Sequence, residues 1–272
     1  MKKINKGDVS HYLRVAGLMH LTDRLRYYFY KIKNRRKNKR FKKNYPQVKL
    51  PPDYYIYESF QIDYEEYYLK SRESAQWILS FLKKYNPNSP YNILDWGCGP
   101  GRIIRHLPGF LDEKSRVFGT DYNAASIDWC KTNLPEIDFN LNTLEAELPY
   151  DDDFFDYIYG ISIFTHLSEK MHYEWMAELY RLLKPGGIMM LTLHGDAFIP
   201  KLSAGELAEY NNGNIVVRGN VKEGHRTFAA FHPKEFTAKL FNQFDILQHI
   251  SGQSNTSKPQ QDVWIVRKKQ TA

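Results

Sequence analysis

From residue 64 onwards, patterns typical of strands and helices alternate along the chain. A helical apolar periodicity over Tyr64–Tyr85 comes first. Seven strand patterns follow: YNILD, SRVFGTD, IDFNLN, FFDYIYGIS, GGIMMLTLHG, FDILQHI and DVWIVRK. Between the first five of them, helical patterns occur at GRIIRHL, NAASIDWCKTNL and SEKMHYEWMAELYRLL, and the remaining connection is a short loop. Such alternation indicates parallel strands joined by helices. The last two strands follow one another closely and predict a hairpin. We therefore expect an α/β fold: a doubly wound, mostly parallel seven-stranded sheet with an antiparallel C-terminal edge strand.

The net positive charge of the chain comes from its N-terminal fifth. The net charge of +7 divides into +14 for residues 1–50 and −7 for the remainder. The sequence pI of about 9.1 is therefore no argument that the body of the chain binds nucleic acid.

Residues 1–45 predict a basic amphipathic helical arm. Apolar residues recur at three- and four-residue steps, at Leu18, Leu21, Leu25, Tyr28, Phe29 and Ile32. They lead into the basic block KIKNRRKNKRFKKN at 31–44. One interpretation is a solvated helix packed on the domain or on a neighbouring chain. The other is an anchor at an anionic surface, either membrane headgroups or an RNA or DNA backbone.

The remaining chain divides by composition. The segment PQVKLPP at 46–52 is typical of a linker, and we interpret 46–70 as a linker with a tyrosine-rich lid segment, although its rings could simply pack on the sheet. Residues 71–272 form the ligand-binding domain. Within it, 195–230 is interpreted as an irregular insert near a substrate pocket.

Cysteine content and apolar patterning predict a cytoplasmic protein, peripheral at a membrane if the arm binds one. Cys98 and Cys130 are too few for a disulfide framework and match no zinc pattern. No stretch approaches the roughly 20 apolar residues of a membrane-spanning helix. The lysine-containing N-terminus has neither the apolar core nor the cleavage site of a signal peptide.

The segment ILDWGCGPG at 93–101 is the clearest ligand-binding motif. An apolar strand ends at Asp95, and Gly97, Gly99 and Gly101 follow. Glycines let the backbone approach a ligand closely at the carboxyl end of the first strand. A glycine-rich turn that holds nothing is the alternative, because a lone glycine pattern is a weak signal.

Asp121 strengthens the case for a nucleoside ligand. It ends the next strand, where a carboxylate can accept both hydroxyls of an adenosine ribose. Its alternative role is to cap the helix that follows, but Asn123 can supply that cap.

Charge indicates which nucleoside cofactor binds. A dinucleotide fingerprint requires glycine where this chain has Arg102, and Asp95 would repel a pyrophosphate. S-adenosylmethionine carries a ribose, an ammonium group and a sulfonium, and no phosphate. The charges therefore favour S-adenosylmethionine over NAD.

Several segments carry a family resemblance. ILDWGCGPGR resembles motif I of the class I, seven-strand, Rossmann-like S-adenosylmethionine-dependent methyltransferases, and GTDYN resembles their acidic second motif. LEAELPYDDDFFDYIYGISIFTHL and MAELYRLLKPGGIMMLTLHG are similar to later segments of the small-molecule branch, type 11/25-like. These segments cover roughly residues 70–200 in the family's order. Residues 1–50 fall outside the resemblance.

The resemblance implies roles for individual residues. Asp95 and the turn backbone would hold the methionine part of the cofactor, Asp121 the ribose hydroxyls, and Tyr122 would lie beside the adenine. The loop at Leu144 and Glu145 would cover the adenine ring. Ile161 and Ser162 would face the transferable methyl group. The predicted cofactor-binding residues are thus Asp95, Gly97, Cys98, Gly99, Gly101, Asp121, Tyr122, Leu144, Glu145 and Ile161.

Methyl transfer from a sulfonium needs alignment, exclusion of water and, for some acceptors, a base. No cluster has metal-ligand spacing, so we expect no metal. His166 and His194 are the candidate catalytic bases, because both follow the carboxyl ends of predicted strands. Alternatively, His166 only orders the turn THLSEK. His225 and His232 lie in the later insert, which could cover the substrate.

The segment GISIFTHL narrows the acceptor class. It lacks the Asn- or Asp-Pro-Pro-aromatic motif of enzymes that methylate base amino groups, and the double-Glu loop of arginine methyltransferases is also missing. We expect a small-molecule, sugar or glycan acceptor. An RNA-directed methyltransferase that uses the basic arm, or a non-catalytic binding module of the same fold, are the alternatives.

Overall fold

A computed structural model describes residues 19–219, 223–224, 228–254 and 258–270. The chain divides into two compact units, the first ending at Arg72 and the second beginning at Glu73. None of the helices described is both long enough and apolar enough to cross a bilayer.

The first unit is helical and has its own aromatic core. Its helices are α1 (Met19–Lys33), α2 (Arg35–Asn44), α3 (Asp53–Phe60) and the beginning of α4 (Tyr64–Tyr85). The buried side chains of this core are Phe41, Ile56, Tyr57, Ile62, Tyr64 and Tyr67. Several tyrosines of the predicted lid segment therefore pack among these helices, where burial of their rings stabilises the unit.

A buried amide holds α2 against the turn between α3 and α4. The Nδ2 of Asn38 donates to the Ile62 carbonyl at 2.7 Å, and its Oδ1 accepts from the Tyr64 N–H at 3.2 Å. Gln61 and Ile62 have positive φ angles of 53° and 58°. Asn38 thus bonds to backbone groups of this tight turn, and Asn34 Nδ2 also donates to the Ile62 carbonyl, at 3.4 Å.

The predicted apolar stripe on α1 faces solvent. Leu25, Tyr28, Phe29 and Ile32 are between 56% and 75% exposed. The sequence left two interpretations of this stripe open, packing on protein or anchoring at an anionic surface, and within the described chain these four side chains are not buried. Tyr27 and Tyr30 pack against the aromatic core instead. Leu18 lies outside the described residues.

The second unit contains the predicted seven-stranded sheet. Its strands are β1 (Asn92–Trp96), β2 (Arg116–Asp121), β3 (Asp138–Leu141), β4 (Phe155–Gly160), β5 (Leu183–Leu193), β8 (Phe244–Ile250) and β9 (Asp262–Lys268). Their order is β3-β2-β1-β4-β5-β9-β8. The pairs among β1 to β5 are parallel, whereas β9 is antiparallel to both β5 and β8. The predicted α/β fold is confirmed, with the antiparallel strand inserted beside the edge.

Apolar side chains bury both faces of this sheet. Ile93 and Tyr157 belong to one core, whereas the next residues along the same strands, Leu94 and Ile158, belong to the other. The first core also receives residues of α4 and of α5 (Ala124–Asn133). The second receives residues of α6 (Glu169–Leu182) and α8 (Lys234–Leu240). Two-sided burial explains why the strand patterns are nearly continuous apolar runs.

Two local predictions were wrong. The segment GRIIRHL does not form an α-helix, but turns followed by a 3₁₀ helix over Ile104–His106. Gly101 has a φ of +72°, and Pro108 begins a second 3₁₀ turn, so the span between them is too short for an α-helix.

The insert at 195–230 is more regular than predicted. Its elements are a 3₁₀ helix (Asp196–Lys201), α7 (Ala204–Asn211) and an antiparallel pair, β6 (Val216–Arg218) and β7 (Ala229–Phe231).

Candidate functional site

The carboxyl ends of three neighbouring parallel strands meet at one edge of the sheet. In the register of these strands, Asp95 of β1 pairs with Gly119 of β2 and with Tyr159 of β4. Asp121 ends β2. The topology therefore brings together the two aspartates that the sequence analysis selected from separate motifs.

The glycine turn after β1 has a left-handed backbone at each of its glycines. The φ angles are +79° at Gly97, +52° at Gly99 and +72° at Gly101. A Cβ at Gly97 would lie 2.1 Å from Cδ1 of Ile163, whereas a Cβ at Gly99 would meet nothing within 4 Å. The backbone at Gly99 therefore faces open space, as a cradle for a ligand requires.

Asp121 is bound directly to this turn. Its Oδ2 accepts a hydrogen bond from the Gly99 N–H, and its Oδ1 accepts one from the Asn123 N–H, both at 2.8 Å. Burial raises the pKa of Asp121, and these two bonds oppose that rise. A carboxylate has about four acceptor positions, so two stay available for ribose hydroxyls. Asn123 caps α5 through its side chain, as expected.

Asp95 is buried, and Tyr159 contacts it. The Tyr159 hydroxyl donates to Oδ2 of Asp95 at 2.6 Å. Burial raises the pKa of Asp95 to about 7, while the Tyr159 hydrogen bond and the positive charge of Arg102 lower it. The nearby Asp121 raises it further. Two buried acids close together favour a cationic ligand and disfavour a pyrophosphate.

A small cavity lies beside the turn. Its volume is about 60 Å³, and it is lined by Trp96, Gly97, Asp121, Tyr122, Asn142, Thr143, Leu144, Ile163, His166, Leu167, Trp175 and Gly224. Most of this lining is aromatic or aliphatic, which suits an adenine ring with a ribose at the Asp121 end. The Ile163 side chain lies over Gly97 and forms one wall of this cavity.

Five of the predicted residues line this cavity, namely Gly97, Asp121, Tyr122, Leu144 and His166. Glu145 instead lines an open groove beside α6. Trp96, Trp175, Asn142 and Ile163 were missed as lining residues. Trp175 packs in the second core, and its Nε1 also donates to the Leu144 carbonyl at 3.1 Å. Pattern alone cannot separate these two uses of one indole.

Both cysteines are buried free thiols. Burial raises the pKa of Cys98 well above its usual value and that of Cys130 to about 12. Both thiols therefore stay protonated and are unsuited to nucleophilic catalysis. With its side chain buried, Cys98 can offer a ligand only its backbone.

The residues after β4 form a polar network. Ser162 has a φ of +64°, which is uncommon for a residue with a side chain. Its N–H donates to Oγ1 of Thr192 at 2.8 Å, and its Oγ accepts from Nε2 of Gln261 at 2.7 Å. The network fixes the backbone beside Ile161, which is half-buried against the first core. Thr192 and Gln261 were missed, because they are 30 and 99 residues from Ser162 in the chain.

The two candidate bases are held by neighbouring carbonyls. His166 Nδ1 lies 2.8 Å from the Phe228 carbonyl oxygen, and His194 Nδ1 lies 3.0 Å from that of Ala230. Because a carbonyl can only accept, each Nδ1 carries a proton, which in a neutral imidazole leaves the lone pair on Nε2. His194 stacks on Phe198, with ring centroids 3.9 Å apart. Burial lowers the pKa of His194 to about 4.

A second histidine pair lies deeper. His172 and His232 are buried, with their Nε2 atoms 2.8 Å apart. His225 lies outside the described residues. In the part of the chain that the structure describes, no group of three or more His, Cys, Asp or Glu side chains could hold a metal ion.

Comparisons with known proteins agree with this geometry. Residues 93–187 match the family model described as a methyltransferase domain. A probable S-adenosylmethionine-dependent methyltransferase of Mycolicibacterium smegmatis is 29% identical over 101 residues, 37% of each chain. The tRNA (carboxymethyluridine(34)-5-O)-methyltransferase of Arabidopsis thaliana is 30% identical over 129 residues, 46% of this chain and 30% of that protein. This chain thus spans well under two thirds of either relative.

A solved structure supports the fold. The S-adenosylmethionine-dependent methyltransferase from Methanosarcina mazei is 21% identical and superposes with a TM-score of 0.55, covering 70% of this chain and 98% of that one. The buried acids and glycine cradle fit the family's cofactor, S-adenosylmethionine. Residues 93–187 are therefore a methyltransferase domain similar to those of the class I S-adenosylmethionine-dependent methyltransferases.

Proposed function

We propose that the chain transfers a methyl group from S-adenosylmethionine to a small-molecule, sugar or glycan acceptor. The observation that carries the proposal is the arrangement at the strand ends, where Asp121 is bound to Gly99 beside the buried Asp95. It supplies acceptors for hydroxyl and ammonium groups and negative charge for a cation.

Individual residues take the following parts in the proposal. Asp95 and the backbone at 97–101 hold the methionine portion, and Asp121 accepts the ribose hydroxyls. Tyr122 and Leu144 lie against the adenine, with Glu145 at the outer end of its loop. When bound, S-adenosylmethionine supplies an activated methyl group on a sulfonium. Ile161 and Ser162 shape the space where the acceptor aligns with that methyl group.

His194 or His166 serves as the general base for a hydroxyl acceptor. In this role a histidine Nε2 would take the proton of the acceptor hydroxyl when that oxygen receives the methyl group. For His194 the Ala230 carbonyl fixes the tautomer that places a lone pair on Nε2. An acceptor that has already lost its proton needs no base, and the histidines then only orient it.

The acceptor class is drawn from the sequence after β4 and from the relatives. The segment Gly160–Leu167 lacks the Pro-Pro motif of enzymes that methylate base amino groups. Relatives are named for a malonyl-[acyl-carrier protein], a sterol and a tRNA. The tRNA enzyme favours a second candidate, in which the basic residues 1–45 bring an RNA to the domain. A domain that binds the cofactor without turnover is the third. In each case the buried free thiols fit a reducing, cytoplasmic location.

A methyl-transfer screen tests the proposal. Protein, S-adenosylmethionine with a tritiated methyl group and separated cell fractions (small metabolites, glycans, lipids, RNA) are incubated together. We expect label in the small-molecule or glycan fraction, and none with Asp121→Asn. The matched control is Asp128→Asn, which changes an exposed acid on α5. Label confined to RNA would establish the second candidate, and label in no fraction, despite cofactor binding, would favour the third.

A further inference from the structure

Helix α1 has apolar residues on two opposite sides. At about 100° per residue, Leu25, Tyr28, Phe29 and Ile32 share one side of the helix. Tyr27 and Tyr30 lie on the other side, where Tyr27 packs 5.5 Å from Tyr57, ring centroid to ring centroid. The inner side is therefore explained by the core of the first unit. The outer side, which we call the apolar face, is exposed.

Basic residues border the apolar face on both sides. At the same helical spacing, Arg26 and Lys33 lie along one border, and Arg24 and Lys31 along the other. A narrow apolar stripe between two rows of cations is typical of a helix that lies in the plane of a membrane surface.

Helix α2 adds a groove lined with cations. Seven of its ten residues are Lys or Arg. Arg35, Lys39 and Lys42 recur at positions i, i+4 and i+7 and therefore share one side of the helix. With Lys31, Asn38, Asp53, Ile62 and Tyr64 they line a groove of about 300 Å³, which we call the basic groove.

The acid in the basic groove is already neutralised. Asp53 lies 3.0 Å from the Lys31 Nζ and accepts a hydrogen bond from the Tyr64 hydroxyl at 2.6 Å. Burial raises its pKa, but these partners outweigh burial and the pKa of Asp53 is lowered overall. Among the described residues, neither Arg35 nor Lys39 forms an ion pair. The groove therefore keeps excess positive charge of the kind that binds phosphate.

We propose that the first unit docks on an anionic lipid bilayer, with the apolar face at the boundary of headgroups and acyl chains and a lipid phosphate in the basic groove. Lys31 belongs to both surfaces, because it borders the apolar face and lines the groove. The proposal stands on the first unit alone and does not depend on methyl transfer.

Charge and apolarity together select this partner. A bilayer with anionic headgroups binds both surfaces at once. An RNA backbone would use the cations but leave the aliphatic Leu25 and Ile32 in water. A symmetric pairing of two copies through the apolar face would bring the basic borders of two α1 helices together, and their charges repel.

Vesicle co-sedimentation of the full chain tests the proposal. We expect binding to phosphatidylcholine vesicles containing phosphatidylglycerol, and at least tenfold weaker binding to phosphatidylcholine alone. The variant Leu25→Gln/Phe29→Gln removes the apolar face, and Arg35→Glu/Lys39→Glu reverses the groove. Each is expected to weaken binding to anionic vesicles at least tenfold.

Two matched controls test whether vesicle binding depends on the cations of the basic groove or on positive charge anywhere on the chain. Arg36→Glu/Arg40→Glu has the same spacing on the same helix, but neither residue lines the groove. Lys114→Glu/Lys131→Glu reverses two exposed lysines of the second unit. We expect a smaller loss, less than threefold, with the first control and none with the second. Circular dichroism checks that every variant keeps its helices.

Three outcomes would overturn the proposal. The first is unchanged vesicle binding by Leu25→Gln/Phe29→Gln, which would leave the apolar face without a role. The second is an equal loss of vesicle binding in Arg35→Glu/Lys39→Glu and Arg36→Glu/Arg40→Glu, which would show that the basic groove has no specific role. The third is tight binding to single-stranded RNA with no binding to anionic vesicles.

Discussion

The Oδ2 atom of Asp121 accepts a hydrogen bond from the Gly99 N–H at 2.8 Å. This contact joins the end of β2 to the turn after β1. It positions a ribose-binding carboxylate against the backbone that would hold the amino-acid part of the same cofactor. The two halves of the site are therefore fixed relative to each other before any ligand binds, which lowers the cost of ordering them.

Cofactor binding should release a proton from Asp95. The pKa of this group is about 7 in the unliganded chain, and a nearby cation lowers the pKa of a carboxyl group. Below pH 7 the acid is mostly protonated, so a cationic ligand must displace that proton, and affinity should rise as the pH increases from 6 to 8. Calorimetry in buffers of different ionisation enthalpy measures the release. Asp95→Asn should show weaker binding and less proton release, whereas release equal to that of the wild type would locate the proton elsewhere.

Tyr159→Phe should shift the pH dependence of cofactor affinity to higher pH. The Tyr159 hydroxyl lowers the pKa of Asp95 by donating a hydrogen bond to it. Without this donor the carboxylate is less stable, and the proton is held to higher pH. The matched control is Tyr157→Phe, whose hydroxyl bonds to the Ile78 carbonyl instead. The same shift in both variants would show that a general loss of packing is responsible.

Gly97→Ala should abolish cofactor binding and destabilise the second unit. Its methyl group would collide with Ile163 at a position whose φ is +79°. The double variant Gly97→Ala/Ile163→Ala should recover part of the stability, because the collision is removed; the backbone strain of about 1 kcal/mol and the lost packing of Ile163 remain. Gly109→Ala is the control, since its Cβ would meet nothing within 4 Å. Thermal unfolding and cofactor titration measure both effects, and wild-type behaviour of Gly97→Ala would contradict the turn geometry.

The His172–His232 pair should make the fold sensitive to acid. Burial lowers the pKa of His172 to about 4 and that of His232 well below its usual value. The unfolded chain therefore binds more protons than the folded one between about pH 6.5 and pH 4. The free energy of unfolding is then lost as the pH falls through that window. His172→Phe/His232→Phe should flatten this dependence in urea titrations at several pH values. If the free energy of unfolding of this variant depended on pH as steeply as that of the wild type, the acid sensitivity would come from other groups.

Local sequence patterns were sufficient for much of the fold. The helix over Tyr64–Tyr85 has the bounds that its periodicity predicts. The pairing of the glycine turn with Asp121 followed from the rule that parallel strands bring their carboxyl ends to one edge. Each of these features depends on residues close in the chain or on a topological rule that holds across α/β sheets.

Contacts between distant residues could not be predicted in this way. Tyr159 bonds to Asp95 across 64 residues, and His172 meets His232 across 60. Periodicity indicates that such side chains are buried, but not which polar group each one meets. Periodicity also does not show what an apolar face meets. The stripe on α1 was predicted from its spacing, but the same spacing occurs whether such a face packs on protein or is exposed to solvent. The short strands β6 and β7 were missed because three residues carry little pattern.

The most direct test of the central claim is a calorimetric titration with S-adenosylmethionine and, separately, NAD. We expect the wild-type chain and Asp128→Asn to bind S-adenosylmethionine but not NAD. In Asp95→Asn/Asp121→Asn, binding of S-adenosylmethionine should fall at least a hundredfold, because two buried carboxylates no longer meet the cation and the ribose. Wild-type affinity in the double variant, or tighter binding of NAD than of S-adenosylmethionine, would contradict the assignment of this site.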